Sequence, residues 1–301
     1  MSELLQQVIN GVSLGSIYAL IALGYTMIYG ILRFINFAHG DVFMVGAFVG
    51  YYFTPIILPL VGGSLLLGGP MVMIASMLVC SLLGVTIEKL AYRPLRSRPK
   101  LTILITAIGI SLFLEFGGQL VFGPDPKLYP TIIPSATIVS TDTLVITSNP
   151  IVVIGTTLLL LFMLRAVVYH TKMGTAMRAV SYNHRAASLM GINIDTVISF
   201  TFVLGSSLAA AAAVLYSSVY PSINPLMGIM VGLKAFVAAV IGGIGNLGGA
   251  ALGGLIIGIT ETFVTGYISS TYRDAIAFGI LIIILIVKPS GLLGTGESEK
   301  V

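Results

Sequence analysis

Tyr169-His170-Thr171-Lys172-Met173-Gly174, running on to Arg185-Ala186-Ala187-Ser188-Leu189-Met190-Gly191-Ile192-Asn193, is a polar island in an apolar chain. It carries Lys172, Arg178 and Arg185, with His170 and His184, between two strongly apolar runs. From Gly174 to Met190 there is no proline and no internal glycine, and Ala, Arg, Met and Leu are abundant, so this stretch is expected to be helical. Gly191 stands where such a helix would stop. Ala179, Tyr182, Ala186 and Leu189 recur at three- and four-residue spacing and would share one face, while Arg178 and Arg185 share another. The reading is a short amphipathic helix outside a bilayer, free to touch something else.

Working outward, composition places everything else in lipid. Of 301 residues, 56% are hydrophobic and only 9% charged, against about 25% in a soluble domain. The chain therefore reads as an integral membrane protein. In a soluble protein the net charge of +4 would suggest nucleic acid, but basic tracts interleaved with aromatics are missing. Here the basic residues sit in loops as topology signals. The lone cysteine, Cys80, lies in an apolar run, which excludes a disulfide framework, and zinc-type ligand spacing is missing too. Met1-Ser2-Glu3-Leu4-Leu5 lacks a basic leader region, and the apolar run after it is too long for a signal-peptide core, so it is expected to stay as the first span.

A hydrocarbon core of ~30 Å takes about 20 apolar helical residues. Spans are expected near 8–30, 37–60, 68–90, 101–122, 151–168, 196–219, 228–245, 248–268 and 272–288. The fold class is all-α: a polytopic membrane helical bundle of about eight or nine crossings, one transmembrane domain over 1–301. Lys89–Lys100 holds five of the 15 basic residues and is expected in the cytoplasm. Two crossings later the chain returns to that side at 169–195. The segment between, 123–150, has one Lys and two Asp, with Thr, Ile and Val between prolines, and is expected outside as a small extended flap. Tyr220–Met227 should also lie outside, and the tail from Lys288 inside. The glycine run Gly242–Gly249 lacks the Lys-Ser/Thr of a phosphate loop and reads as a tight turn between two spans.

Ionisable residues within spans are expensive and are functional candidates by default. Asp41, Glu115, Lys234 and Glu261 are such residues, and Glu261 is the expected partner of Lys234. Glu88 and Lys89 read as anchors at the membrane edge. Ile35-Asn36-x3-Gly40 opens the second span and Ile223-Asn224-x3-Gly228 the seventh, from opposite sides in this topology. That is the pattern of an inverted repeat with interrupted helices near a translocation path. Asn36, His39 and Asn224 are the path candidates. His39 has no second histidine at ligand spacing, so a backbone hydrogen bond is its expected role. Neither a Ser/His/Asp set, a paired-carboxylate site nor a metal motif emerges, which argues against an enzyme.

Four stretches together carry a family likeness: Asn36-Phe37-Ala38-His39-Gly40-Asp41, Glu88-Lys89-Leu90-Ala91-Tyr92-Arg93-Pro94-Leu95-Arg96, Ala187-Ser188-Leu189-Met190-Gly191-Ile192-Asn193, and Lys234-Ala235-Phe236 leading to Val240-Ile241-Gly242-Gly243-Ile244-Gly245. The chain resembles, over essentially its whole length, the permease subunits of bacterial branched-chain amino-acid ABC importers, of the H type found in high-affinity leucine/isoleucine/valine systems. The resemblance implies an inner-membrane location, a second and related permease subunit, two cytoplasmic ATPase subunits and a periplasmic substrate-binding protein. It implies that ATP is used by the partners and that this chain binds no cofactor and no metal. It further implies that 169–195 is the coupling loop. Importer permeases often carry Glu-Ala-Ala-x3-Gly there; Arg185-Ala186-Ala187-x3-Gly191 keeps the alanines and the glycine but has Arg in place of Glu. Arg185, Ala186, Ala187, Leu189, Met190 and Gly191 are the expected docking residues. The alternative from another class is a self-contained secondary transporter or channel, coupled to an ion gradient through Asp41, Glu115 or Glu261.

Overall fold

The computed structural model describes residues 2–134, 136–141 and 144–294. Each expected span is a helix: α1 Ser2–Leu32, α2 Ala38–Leu60, α3 Leu65–Ile87, α4 Lys100–Phe122, then α5 Ser148–His170. The island forms α6 Lys172–Tyr182 and α7 His184–Leu189. The rest is α8 Ile194–Val219, α9 Met227–Gly242, α10 Leu247–Tyr267 and α11 Arg273–Val287. The chain is a multi-pass membrane protein. Among the described residues, eight helical segments are long and apolar enough to cross a bilayer. At 16 residues α9 is shorter, about 24 Å at 1.5 Å per residue, because its first turn starts inside the bundle.

Helices α1 and α8 form the interior, while α3, α4, α5 and α11 leave most of their apolar surface exposed. In lipid, close packing rather than a hydrophobic force holds helices together, so small residues mark the contacts. The α1–α10 crossing shows this: a Cβ on Gly258 would lie 2.1 Å from the Gly15 backbone nitrogen. The row Ala209–Ala213 of α8 is wholly buried for the same reason.

The loops sort into two ends. At one end Ser181 donates to the Gly30 carbonyl at 2.6 Å, and the His184 ring meets the Ile31 carbonyl at 2.8 Å. Tyr92 donates to Asn36 at 2.6 Å, and the Leu292 and Leu293 amides donate to the Ile241 and Gly242 carbonyls. At the other end the flap contains extended pieces. Strand β1 Lys127–Leu128 pairs antiparallel with β4 Ser222–Ile223, and β2 Thr137–Thr141 with β3 Leu144–Thr147. The Val145 amide donates to Gln6 near the start of α1. Residues 135, 142 and 143 of the flap and 295–301 of the tail lie outside the described residues. The glycine run makes the α9–α10 turn, with Asn246 capping α10 through the Gly249 amide at 3.0 Å.

Two expectations need correction. The island is not one helix: Asn183 is extended, at φ −154° and ψ 110°. Its side chain accepts from the Ala186 amide at 3.0 Å, so an Asx cap starts α7 where α6 has ended. Glu88 is not an edge anchor. It is fully buried, bound by Arg96 and by the Ser199 hydroxyl at 2.6 Å. A carboxylate this deep needs charged and hydrogen-bonding partners, and Arg96, one turn beyond a short π-helix at Glu88–Tyr92, supplies the charge.

Candidate functional site

At the end that gathers the basic loops, α6 and α7 form an elbow projecting beyond the spans. Thr171 caps α6 by accepting from the Gly174 amide at 3.0 Å, and Arg178 lies 5.4 Å over the Tyr169 ring. Ser181 and His184 tie the elbow to the end of α1, as described above. The polypeptide leaves through Gly191 at φ +81°, a conformation that a side chain would strain. Of the expected docking residues, Leu189 and Met190 are 88% and 82% exposed, and Arg185, Ala186 and Gly191 are exposed too. Ala187 is 4% exposed and packs into its own chain. The elbow thus offers an apolar tip of Leu189 and Met190, and Tyr182 at the end of α6 is 82% exposed as well.

Beside the elbow lies a charge network. Arg93 and Arg96 both pair with Asp195 in the first turn of α8, and Arg96 also holds Glu88. It fastens the α3–α4 connection to the segment where the polar island re-enters the bundle.

The two Ile-Asn-x3-Gly segments enter from opposite ends, and the structure brings their glycines together. A Cβ on Gly228 would lie 2.4 Å from the Gly40 carbonyl oxygen, and one on Gly40 would lie 2.6 Å from that of Gly228. The first turns of α2 and α9 therefore meet backbone to backbone inside the bundle. Asn224 is half-buried and accepts from the Leu226 amide at 3.0 Å, in the turn just before α9. Asn36 is buried, accepts from Tyr92, and lines a small gap with Tyr25, Phe236 and Ile244. His39 is wholly buried, its Nε2 3.3 Å from the Ile21 carbonyl and its ring edge-on to Tyr25 at 4.6 Å. The expected backbone partner is there, and His39 does not line that gap.

Where these turns meet α4 there is a cavity of about 190 Å³. Phe37 and Asp41 come from the start of α2, Gly228, Ile229, Gly232 and Leu233 from α9, Ile108, Ser111, Leu112 and Glu115 from α4, and Tyr25 from α1. Ser111 donates to Asp41 Oδ2 and lies 3.4 Å from Glu115 Oε1. Sequence reasoning missed Ser111 and Tyr25. The signal for Ser111 was its four-residue spacing to Glu115, which puts both on one face of α4.

The pairing expected for Lys234 is present. Its Nζ lies 2.9 Å from Glu261 and 2.6 Å from Asp274. Arg273 adds a 3.2 Å contact to Glu261, and Tyr18 donates to Glu261 at 2.8 Å. Two cations and two carboxylates make a neutral cluster, with Lys234 and Glu261 buried and Arg273 and Asp274 partly exposed, so Glu261 is already paired. Among the described residues no group of three or more His, Cys, Asp or Glu is placed to hold a metal.

A family model described as the branched-chain amino acid transport system permease component matches residues 7–285. The high-affinity branched-chain amino acid transport system permease protein BraD of Pseudomonas aeruginosa is 42% identical over 304 residues, covering 99% of this chain and 98% of that one. LivH of Escherichia coli K12, whose description is the same, is 42% identical over 303 residues, covering 99% and 97%. A probable branched-chain amino acid transport permease LivH of Methanocaldococcus jannaschii is 30% identical, covering 93% and 89%.

Proposed function

Because this chain belongs to the branched-chain amino acid transport permease family, we propose that it is the membrane-spanning subunit of an ATP-powered importer, carrying branched-chain aliphatic amino acids across a bacterial inner membrane into the cytoplasm. It works beside a second, related permease subunit. Two cytoplasmic ATPase subunits power the pair, and a periplasmic binding protein delivers substrate. ATP is bound and hydrolysed by the partners, and this chain makes and breaks no bonds. The end bearing Lys89–Lys100 and the elbow faces the cytoplasm, and the flap faces the periplasm.

The observation that carries the reading is the α6–α7 elbow. An apolar tip of Leu189 and Met190 beyond the spans has no use in lipid and is costly in water; it suits a groove on another protein. A partner can shift the permease only if it binds the elbow differently in two states. ATP-driven approach of the ATPases would supply that difference. The elbow is fastened to α1 through Ser181 and His184 and runs into α8, the two interior helices, so its movement would reach the bundle centre.

The test is uptake. The chain, co-purified with its permease, ATPase and binding-protein partners, is sealed into vesicles without any ion gradient. Leucine accumulation that requires ATP is the expected result. Accumulation that follows a sodium or proton gradient and ignores ATP would establish the ion-coupled alternative instead.

A further inference from the structure

We infer that the cavity between α4 and the first turns of α2 and α9 holds the transported amino acid, with the Glu115 carboxylate taking its ammonium group. This rests on the importer reading above. Two carboxylates line the cavity, and only one has its needs met. Asp41 sits in the first turn of α2 and against the first turn of α9, so two helix N-termini face its charge. It also receives the Ser111 hydroxyl. A serine has a single hydroxyl proton, and at 3.4 Å Glu115 is not its recipient. Glu115 is 8% exposed, lines the cavity, and has no cation partner among the described residues. A carboxylate so buried and unpaired in lipid needs a positive group.

The rest of the lining describes the ligand's body. Ile108, Leu112, Ile229 and Leu233 make an aliphatic wall beside Phe37 and Tyr25. A cavity of about 190 Å³ is several times one water's share of about 30 Å³. An inorganic cation with its water shell would make no use of the aliphatic wall. A primary ammonium joined to a branched aliphatic chain suits both parts of this lining.

The experiment uses the permease pair with its ATPases in nanodiscs, without the binding protein, whose own selectivity would mask the site. The probe is labelled L-leucine. Binding to the wild type should be displaced by unlabelled isoamylamine, which keeps the ammonium and the branched chain, and not by isocaproate, which lacks the ammonium. Glu115→Gln should weaken leucine binding about ten- to a hundredfold, the loss expected for a charge-assisted hydrogen bond. Glu115→Asp should recover part of it. Displacement by isocaproate but not by isoamylamine would overturn the inference, and so would displacement by sodium or potassium ions alone. Wild-type affinity in Glu115→Gln overturns it too. If Glu115→Gln does not assemble, the analogue competition on the wild type still decides. ATP-driven leucine uptake by the same wild-type complex, with binding protein restored, tests the importer reading separately. Uptake with the wrong analogue pattern removes the site alone, while no uptake removes the importer reading and the site with it.

Discussion

At the residue scale, the informative groups are those that lipid should exclude. Lys234 and Glu261 are held in a neutral cluster with Arg273 and Asp274. Lys234→Met would leave the buried Glu261 carboxylate without its buried cation, with only the partly exposed Arg273 to oppose it. It should cost about 3–5 kcal/mol, the range for breaking one side of a buried pair. The double variant Lys234→Met with Glu261→Gln leaves Arg273 and Asp274 3.5 Å apart to neutralise each other, and should recover much of that loss. Thermal unfolding of the purified protein reads both; a double variant no better than the single one would show that the charges do not act as a cluster. Gly40 and Gly228 fail differently. Gly228→Val would push side-chain atoms into the Gly40 carbonyl, 2.4 Å from the new Cβ. Backbone cannot give way as a side-chain tip can, so a loss of about 1–3 kcal/mol is expected, with lower abundance in the membrane.

At the element scale, the break at Asn183 divides the elbow and sets what its tip presents. With α6 and α7 as separate helices, Ala187 turns inward while Leu189 and Met190 turn out. Leu189→Glu should therefore abolish co-purification of the ATPases and ATP-driven uptake while leaving permease abundance near wild type. A desolvated carboxylate in a docking groove would cost several kcal/mol, whereas a solvated tip would tolerate it within about 0.5 kcal/mol. Retained ATPase binding in that variant would remove the elbow from the mechanism. Ala187→Glu tests something else, since it buries a charge in this chain and should reduce folded protein. Asn183→Ala removes the cap on α7 and should cost about 1 kcal/mol, read as earlier proteolysis within 183–191 under limited digestion.

At the scale of the whole molecule, contacts at each end join loops that an alternating nine-helix path would bring together. The flap pairs with the α8–α9 connection through β1 and β4, and the elbow is bound to the α1–α2 connection. In a background with Cys80 replaced by Ser, single cysteines at Arg96 or Asn183 should react only after the membrane is opened. One at Lys127 should react with an impermeant reagent in intact cells. Labelling of the first two from outside would invert the proposed orientation. The exposed apolar surfaces of α4 and α11 are where lipid or the second permease subunit would pack, and α4 also lines the cavity.

Helix count, loop positions and the sorting of loops to two ends were legible in the sequence. A bilayer imposes a length of about 20 apolar residues on each crossing and confines charge to the connections. The Lys234–Glu261 pair was legible for a related reason: a lone lysine in a span must find an acid. Which way each helix faces was not legible. Spans apolar all round carry no stripe to orient them, and in lipid no hydrophobic force separates one face from another. The meeting of Gly40 with Gly228, the cavity at Ser111 and Glu115, and the burial of Glu88 and Ala187 therefore came only with the tertiary structure. Each depends on how far a helix is rotated about its own axis, and close packing between neighbours decides that rotation.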